Sequence, residues 1–198
     1  MGLPCTDPLY AVYYGTMENA ILIPPVFPFQ GFRGGDDFGE GHFGAHRRKD
    51  CPECQIGDPS CGECGGKGVL IYTHNGLDCI GKEHDTVVAP IGGRIVHSGI
   101  AYEGATLGSV HIANATFKVR LLYGRLSTLL STGSSVLAGS TIGIVQNVAA
   151  YHAIKDRRAG RLNRRKMTNH IHMDFWVRKG GLWERIDPTP YLAHCGVA

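Results

Sequence analysis

From residue 69 to residue 198, short apolar runs alternate with Gly, Ser and Asn, and the runs recur roughly every ten residues. Examples are the stretches 86–90, 109–112 and 141–145. Many short β-rich segments separated by turn residues predict an antiparallel β-sandwich or barrel. Helix is scarce in this pattern, and residues 149–159 are the stretch that favours one. The predicted fold class is therefore mainly β.

Residues 1–68 differ in composition and pattern, because they are rich in Gly, Pro and Cys and show little hydrophobic periodicity. A segment of this kind predicts irregular structure rather than regular strands or helices. We therefore expect an irregular cysteine-rich extension over residues 1–68, packed on a core domain that spans residues 69–198.

The composition is that of a folded globular chain, with 43% hydrophobic and 19% charged residues among 198. A formal net charge of +3 is too small to imply nucleic acid as a partner. No stretch approaches the ~20 apolar residues that a membrane-spanning helix needs, so a transmembrane segment is not expected.

Basic residues are concentrated in one segment shortly before His170. Such a run is either a solvated loop or a patch for anionic glycans, lipids or nucleic acid. Its position favours the rim of a groove, where charge steers anionic polymers. The residues of this predicted anionic-ligand patch are Arg157, Arg158, Arg161, Arg164, Arg165 and Lys166.

The chain contains seven cysteines, four of which form two Cys-x-x-Cys units separated by six residues. Two such units are able to hold a tetrahedral zinc, although the connector is shorter than usual. A disulfide-braced loop is the competing interpretation, which applies to a secreted protein. Both interpretations stay open for Cys51, Cys54, Cys61 and Cys64.

Two motifs far apart in sequence carry the candidate chemistry. His74-Asn-Gly-Leu-Asp78 follows an apolar strand, and its Asn-Gly turn lets His74 and Asp78 converge. His170-Ile-His172 begins a strand, where alternation puts both imidazoles on one face. Ligands of types His, Asp and His leave one tetrahedral position open, as in catalytic zinc sites. A fourth group beside them would move a proton or stabilise an oxyanion.

These motifs resemble those of the lysostaphin-type (LytM-like) zinc metallopeptidases, and the resemblance covers about residues 69–192. The similarity implies the antiparallel β fold of that family. It also implies that Zn²⁺ is bound by His74, Asp78 and His172, and that His170 is a catalytic histidine. Further matching segments are Val88-Ala-Pro90, the turn at 92–96, the glycine-punctuated stretch 133–143 and Asp187-Pro188.

One departure from this family bears on activity. Active members carry a second catalytic histidine in a Tyr-x-His-Leu segment, and the matching stretch here is Tyr123-Gly-Arg125-Leu126. Arginine stays protonated near neutral pH and is no general base. The substitution predicts weak or absent hydrolysis, unless a histidine from a neighbouring loop replaces the missing one. The candidates for that replacement are His84, His97, His111 and His152.

The leukocyte cell-derived chemotaxin 2 family is similar in this respect, because it keeps the zinc triad and lacks the Tyr-x-His histidine. The stretch 41–47 and Cys79 add short matches, and the sequon Asn114-Ala-Thr116 fits a secreted glycoprotein. This resemblance implies an extracellular recognition module that binds a peptide, a glycan or a cell-surface protein. The alternative is an active zinc metalloendopeptidase that cleaves glycine-rich or peptidoglycan cross-link peptides. In either case His42 or His46 is a candidate autoinhibitory ligand at the open zinc position.

Overall fold

The computed structural model of the chain describes residues 22–36, 39–49, 60–62, 69–158 and 167–192. Within these residues there are fifteen β-strands, an α-helix, α1 (Val148–Arg158), and a 3₁₀ turn at Thr189–Tyr191. The strands in chain order are β1 (Val26–Phe27), β2 (Gly35–Asp36), β3 (Gly39–Glu40), β4 (His46–Lys49), β5 (Val69–Thr73), β6 (Leu77–Ile80), β7 (Thr86–Val88), β8 (Gly93–Ile100), β9 (Gly108–Ala113), β10 (Phe117–Leu122), β11 (Gly124–Leu126), β12 (Ser135–Val136), β13 (Thr141–Val145), β14 (His170–Lys179) and β15 (Leu182–Ile186).

The strands form two main antiparallel sheets. The smaller sheet has the order β1-β7-β13-β11, and the larger has the order β12-β8-β9-β10-β14-β15, with β6 paired to β14 as its seventh strand. Two further two-stranded sheets pair β2 with β3 and β4 with β5. The prediction of a mainly β chain built from antiparallel sheets is confirmed.

The hydrophobic core lies between the two main sheets. Alternation along β14 turns Ile171, Met173 and Phe175 into this core, where none of the three is exposed to solvent. The smaller sheet contributes Val87 and Val145 from the other side. Burial of such side chains stabilises the fold by about 1.5–3 kcal/mol each, so the core fixes which face of β14 points inward.

The pairing of β14 positions the candidate site. Its first half pairs with β6, with His172 opposite Asp78, and its second half pairs with β15 along the same edge. Strand β10 occupies the other edge, with Leu122 opposite His172. Residues of the two sequence motifs are therefore brought together by sheet register, across 94 positions of sequence.

The described part of the segment before residue 69 is more ordered than its composition suggests. Strand β1 is an edge strand of the smaller sheet, and Leu22 and Val26 belong to the core. Strand β4 pairs with β5, and an isolated bridge between Phe32 and Cys79 of β6 joins the segment to the larger sheet. The division into an extension and a domain at residue 69 remains a prediction.

Helix α1 coincides with the predicted helical stretch to within one residue at each end. Asn147 begins it, since its side-chain oxygen accepts a hydrogen bond from the Ala150 amide at 2.8 Å. No helix in the described ranges is long and apolar enough to cross a membrane.

Candidate metal centre

Three side chains converge at the junction of β6 and β14. The ligand atoms that His74, Asp78 and His172 offer all lie within 4.8 Å of one another. His172 Nδ1 is 2.9 Å from both His74 Nε2 and Asp78 Oδ1, and His74 Nε2 is 3.4 Å from Asp78 Oδ1. Adjacent ligands of a tetrahedral zinc, at the usual bond lengths, are about 3.3 Å apart. The geometry of the three groups thus fits a divalent ion such as zinc.

Gly76 makes this convergence sterically feasible. A Cβ atom at that position would lie 2.6 Å from the His172 ring and 2.7 Å from the Met173 carbonyl oxygen. Only glycine allows the turn after His74 to pass so close to β14.

The nitrogen on the far side of each ligand imidazole has its own acceptor. His74 Nδ1 is 2.9 Å from the backbone oxygen of His42, and His172 Nε2 is 3.3 Å from Asp174 Oδ2. Donation to these oxygens leaves the lone pair of His74 Nε2 and of His172 Nδ1 facing the centre. This is the arrangement that orients histidine ligands in metalloproteins.

A buried arginine–carboxylate contact holds the third candidate ligand, Asp78. Arg33 donates from Nη2 and Nε to Asp78 Oδ2 at 2.7 and 2.9 Å, and both side chains are almost fully buried. Oxygen Oδ1 of Asp78 remains for the centre. Arg33 is held in turn by Asp36 Oδ1 at 2.7 Å and by the Gly39 carbonyl at 2.8 Å.

The electrostatics of the centre favour a positive charge. Burial raises the pKa of Asp78, but charge interaction with His170 and hydrogen bonds from His172 and His74 hold it well below its usual value. Burial lowers the pKa of His172, while hydrogen bonds to Asp174 and Asp78 raise it, to about 9. Two buried carboxylates thus surround one imidazole, which suits a bound cation.

His170 adjoins the triad as a separate group. Its Nδ1 lies 2.7 Å from the Thr168 carbonyl oxygen, and its Nε2 lies 3.6 Å from Asp78 Oδ2. Tyr123 packs edge-on against the His170 ring, with centroids 5.3 Å apart, and has a φ of 73°. Positive φ in a bulky residue is a strained conformation that is typical of functional sites.

A cavity of about 310 Å³ opens over these residues. Its wall includes Tyr72, Tyr123 and His152, the last from helix α1. Arg120 of β10 and Arg185 of β15, two strands of the larger sheet, also line it. A cavity beside three convergent side chains is a candidate binding site.

Arg125 is not brought to this cavity. Its side chain is exposed and lines a different cavity of about 690 Å³, together with Glu103 and Tyr151. Of the four histidines considered as replacements, His152 lines the metal cavity, whereas His84 lines the cavity of Arg125. His97 and His111 line neither.

The two histidines expected as extension ligands lie elsewhere. His42 exposes its side chain next to Glu40, at 3.3 Å, and lines with His46 a cavity separate from the metal centre. The contribution of His42 to the centre is its backbone oxygen.

Two further predicted groups are only partly described. Arg157 and Arg158 are the last residues of α1 and are exposed, while Arg161, Arg164, Arg165 and Lys166 fall outside the described residues. Cys61 is half-buried, and Cys51, Cys54 and Cys64 fall outside the described residues.

Sequence reasoning missed Arg33 and Asp174. Asp174 continues the alternation of His170 and His172 by one more step, so the i+2 spacing was a usable signal for it. Nothing in the pattern around Arg33 indicates that it reaches Asp78, 45 positions away.

Comparison with known proteins agrees with this architecture. A sequence model of the family described as peptidase family M23 matches residues 72–188, more than half of the chain. No curated protein matches the chain.

Among solved structures, Csd3 of Helicobacter pylori is similar, with a TM-score of 0.52, 16% identity, and coverage of 88% of this chain and 35% of Csd3. This chain therefore spans about a third of the length of that relative. The catalytic domain of lysostaphin from Staphylococcus simulans has a TM-score of 0.45 and 18% identity, and 77% of this chain covers 90% of that domain. A zinc-containing peptidase from Vibrio cholerae has a TM-score of 0.44 and 17% identity, and the match covers 84% of this chain and 38% of that peptidase. The predicted lysostaphin-type fold is confirmed.

Proposed function

Because this chain belongs to peptidase family M23, we propose that it binds zinc through His74, Asp78 and His172 and binds peptides in the cavity above them. The observation that carries the proposal is the convergence of the three donor atoms, each on a side chain oriented by a separate partner. When bound, zinc supplies a Lewis acid that polarises a carbonyl and lowers the pKa of water.

In this proposal the protein is chiefly a recognition module, and hydrolysis is weak or absent. Arg125 stands where a second catalytic histidine is expected from the sequence, and its side chain lines another cavity. Loss of one group that stabilises the transition state typically lowers kcat by about 10²–10³. His170 alone would then remain to move a proton, with its Nδ1 donating to Thr168.

A second candidate function is an active zinc metalloendopeptidase. The observation in its favour is that His152 enters the wall of the metal cavity from helix α1. There it would replace the missing histidine from a different element of the fold. Glycine-rich peptides and peptidoglycan cross-link peptides are the substrates that this alternative implies.

Two measurements on zinc-loaded protein separate the candidates. Calorimetric titration with oligoglycine tests binding, and mass spectrometry of the same mixture, and of purified peptidoglycan, tests cleavage. We expect binding that is lost in His172→Ala, and a cleavage rate at least about 10²–10³-fold lower than a site with both catalytic histidines would give. A matched control is His97→Ala, which changes a histidine outside the cavity.

Zinc-dependent cleavage that disappears in both His170→Ala and His152→Ala would establish the peptidase instead. Absence of zinc binding by the unaltered protein would refute both candidates.

The environment proposed for the protein is extracellular, and the ligand is a peptide, a glycan or a cell-surface protein, with an anionic polymer as a further partner. The sequon at Asn114 and the cysteine-rich segment support this setting. Whether that segment holds disulfides or a second zinc follows from counting thiols and zinc in the purified protein.

A further inference from the structure

A group of cations and tryptophans covers the part of the larger sheet next to the metal centre. Along three neighbouring strands, Lys118 of β10 lies opposite Trp176 of β14, which lies opposite Arg185 of β15. In the adjoining rows Arg120 lies opposite Asp174 and Arg178 opposite Trp183. We call the surface formed by Lys118, Arg120, Trp176, Arg178, Trp183 and Arg185 the basic face.

The basic face is on the same side of the sheet as the metal centre. Alternation along β14 places His172, Asp174, Trp176 and Arg178 on one face, opposite the core residues. Two residues of a strand advance about 6.6 Å, so Trp176 is about 13 Å beyond His172. Because Arg120 and Arg185 also line the metal cavity, the two surfaces are continuous.

Cation–π contacts hold the charges in place. Lys118 Nζ lies 4.5 Å from the Trp176 ring centroid and 5.3 Å from that of Trp183. The guanidinium of Arg185 lies 4.7 Å from Trp176, and that of Arg178 lies 5.8 Å from Trp183. The indoles order the long side chains without neutralising them.

The basic face carries more cationic side chains than neighbouring carboxylates. Asp174 accepts from Arg120 Nε at 2.6 Å and lies 3.8 Å from Arg185. Among the described residues no carboxylate is within ion-pair distance of Lys118 or Arg178. Burial lowers the pKa of Lys118, and the nearby charges of Arg185 and Arg120 lower it further. An anion bound here would relieve this repulsion.

We propose that the basic face is a subsite for the carboxylate groups of an acidic peptide whose backbone is held at the metal centre. The proposal rests on the peptide-binding function proposed above and names its substrate class. Three neighbouring strands span about 10 Å, which suits one extended peptide rather than a nucleic-acid duplex. A sugar or base that stacks on the Trp176 ring would compete with Lys118 and Arg185, which already contact it.

The chain supplies its own reporter for this subsite, since both of its tryptophans lie on the basic face. The experiment titrates the zinc-loaded chain of residues 1–198 with two peptides that differ only in side-chain charge, Gly-Gly-Gly-Glu-Glu-Gly and Gly-Gly-Gly-Gln-Gln-Gly, and follows tryptophan fluorescence. We expect a saturable change with the Glu peptide, at a Kd that rises with salt, and a weaker interaction with the Gln peptide.

The double variant Lys118→Gln/Arg178→Gln removes two charges of the basic face outside the metal cavity and keeps most of each side-chain stem. We expect it to weaken Glu-peptide binding by about 5- to 30-fold and to leave Gln-peptide binding unchanged. The matched control is Lys179→Gln. The Lys179 side chain forms an ion pair with Glu184 at 3.0 Å and is not part of the basic face. Charge reversal, Lys118→Glu/Arg178→Glu, should shift the preference toward a Lys-containing peptide, and thermal unfolding verifies that each variant is folded.

Equal affinity for the Glu and Gln peptides would overturn the subsite and leave the proposed peptide binding intact. Two results together support both proposals: zinc-loaded protein binds the Glu peptide more tightly than the Gln peptide, and removal of zinc abolishes binding of either peptide. If neither peptide binds but heparin changes the fluorescence, the basic face is a glycan surface, and the acidic-peptide subsite is overturned together with the proposed peptide binding.

Discussion

The two faces of strand β14 are buried to a similar extent over its first six residues, yet they are built on different principles. On the inner face, apolar side chains pack against the opposite sheet, and any apolar neighbour of suitable volume can fill the space beside them. On the outer face, each buried nitrogen and oxygen needs a specific partner, because an unpaired polar group is costly to bury. The inner residues are Ile171, Met173 and Phe175, and the outer residues are His170, His172 and Asp174. One strand thus serves both as the wall of the core and as the floor of the candidate site.

Breaking the inner face should have the largest effect on stability. Phe175 is fully buried, stacks on Phe117 at 5.6 Å and contacts Tyr191 at 5.2 Å between ring centroids. Phe175→Ala should lower the free energy of unfolding by about 3–5 kcal/mol, because it leaves a cavity that the sheets do not close. Urea unfolding of zinc-free protein measures this change. Phe32→Ala, at a residue 40% exposed, is the control and should cost clearly less.

Changing the outer face should act on metal affinity instead. Asp174→Asn removes the carboxylate that faces His172 Nε2, and we expect zinc affinity to fall by about 10- to 100-fold. Competition with a chromophoric chelator measures the affinity, and Glu184→Gln is the matched control in the neighbouring strand. An Asp174→Asn affinity equal to that of the unaltered protein would show that Asp174 does not orient the ligand.

The close approach of the turn at Gly76 to β14 predicts an effect of intermediate size on stability and on zinc binding. Gly76→Ala would place a methyl group 2.6 Å from the His172 ring, and we expect a cost of about 1–3 kcal/mol from overpacking, with weaker zinc binding. Gly34→Ala is the control, because its added Cβ meets nothing within 4 Å. Equal unfolding midpoints for the two variants would contradict the steric argument.

The smallest expected effect is a pH dependence from His111 of β9, which lies opposite Arg120 in the larger sheet. Burial, then the charges of His97, Arg120 and Lys118, lower the pKa of His111 to about 4, against an opposing contribution from Asp174. The unfolded chain, with a histidine pKa of about 6.5, therefore binds more protons between these values. The contribution of His111 to stability should be complete above about pH 6.5 and decline as the pH falls toward 4.

We expect a loss of order 1 kcal/mol for this histidine, since partial exposure screens the interaction. Urea unfolding at pH 7 and pH 5 measures it. His111→Gln should flatten the difference between the two pH values, and an unchanged difference would exclude His111 as its source.

Much of the fold was predictable because strands have a short, local period. The alternation at 170–177 indicated a strand with two histidines on one face, and the structure places that strand at His170–Lys179. The helix at 149–159 was equally local in origin. The short strands before residue 69 were not predicted, because a two-residue strand such as β1 has no period to detect and exists only through its pairing with β7.

The spacing of the two histidine motifs selected the three groups that meet at the candidate metal centre, and composition was sufficient to indicate a globular β chain. Tertiary structure alone decided that Arg33 and the His42 carbonyl orient two of those groups, that Arg125 lines another cavity, and that four cations share one sheet face. Alternation along a strand follows from backbone geometry and is therefore visible in a short stretch of sequence. Contacts across strands depend instead on the register between segments that are tens of residues apart.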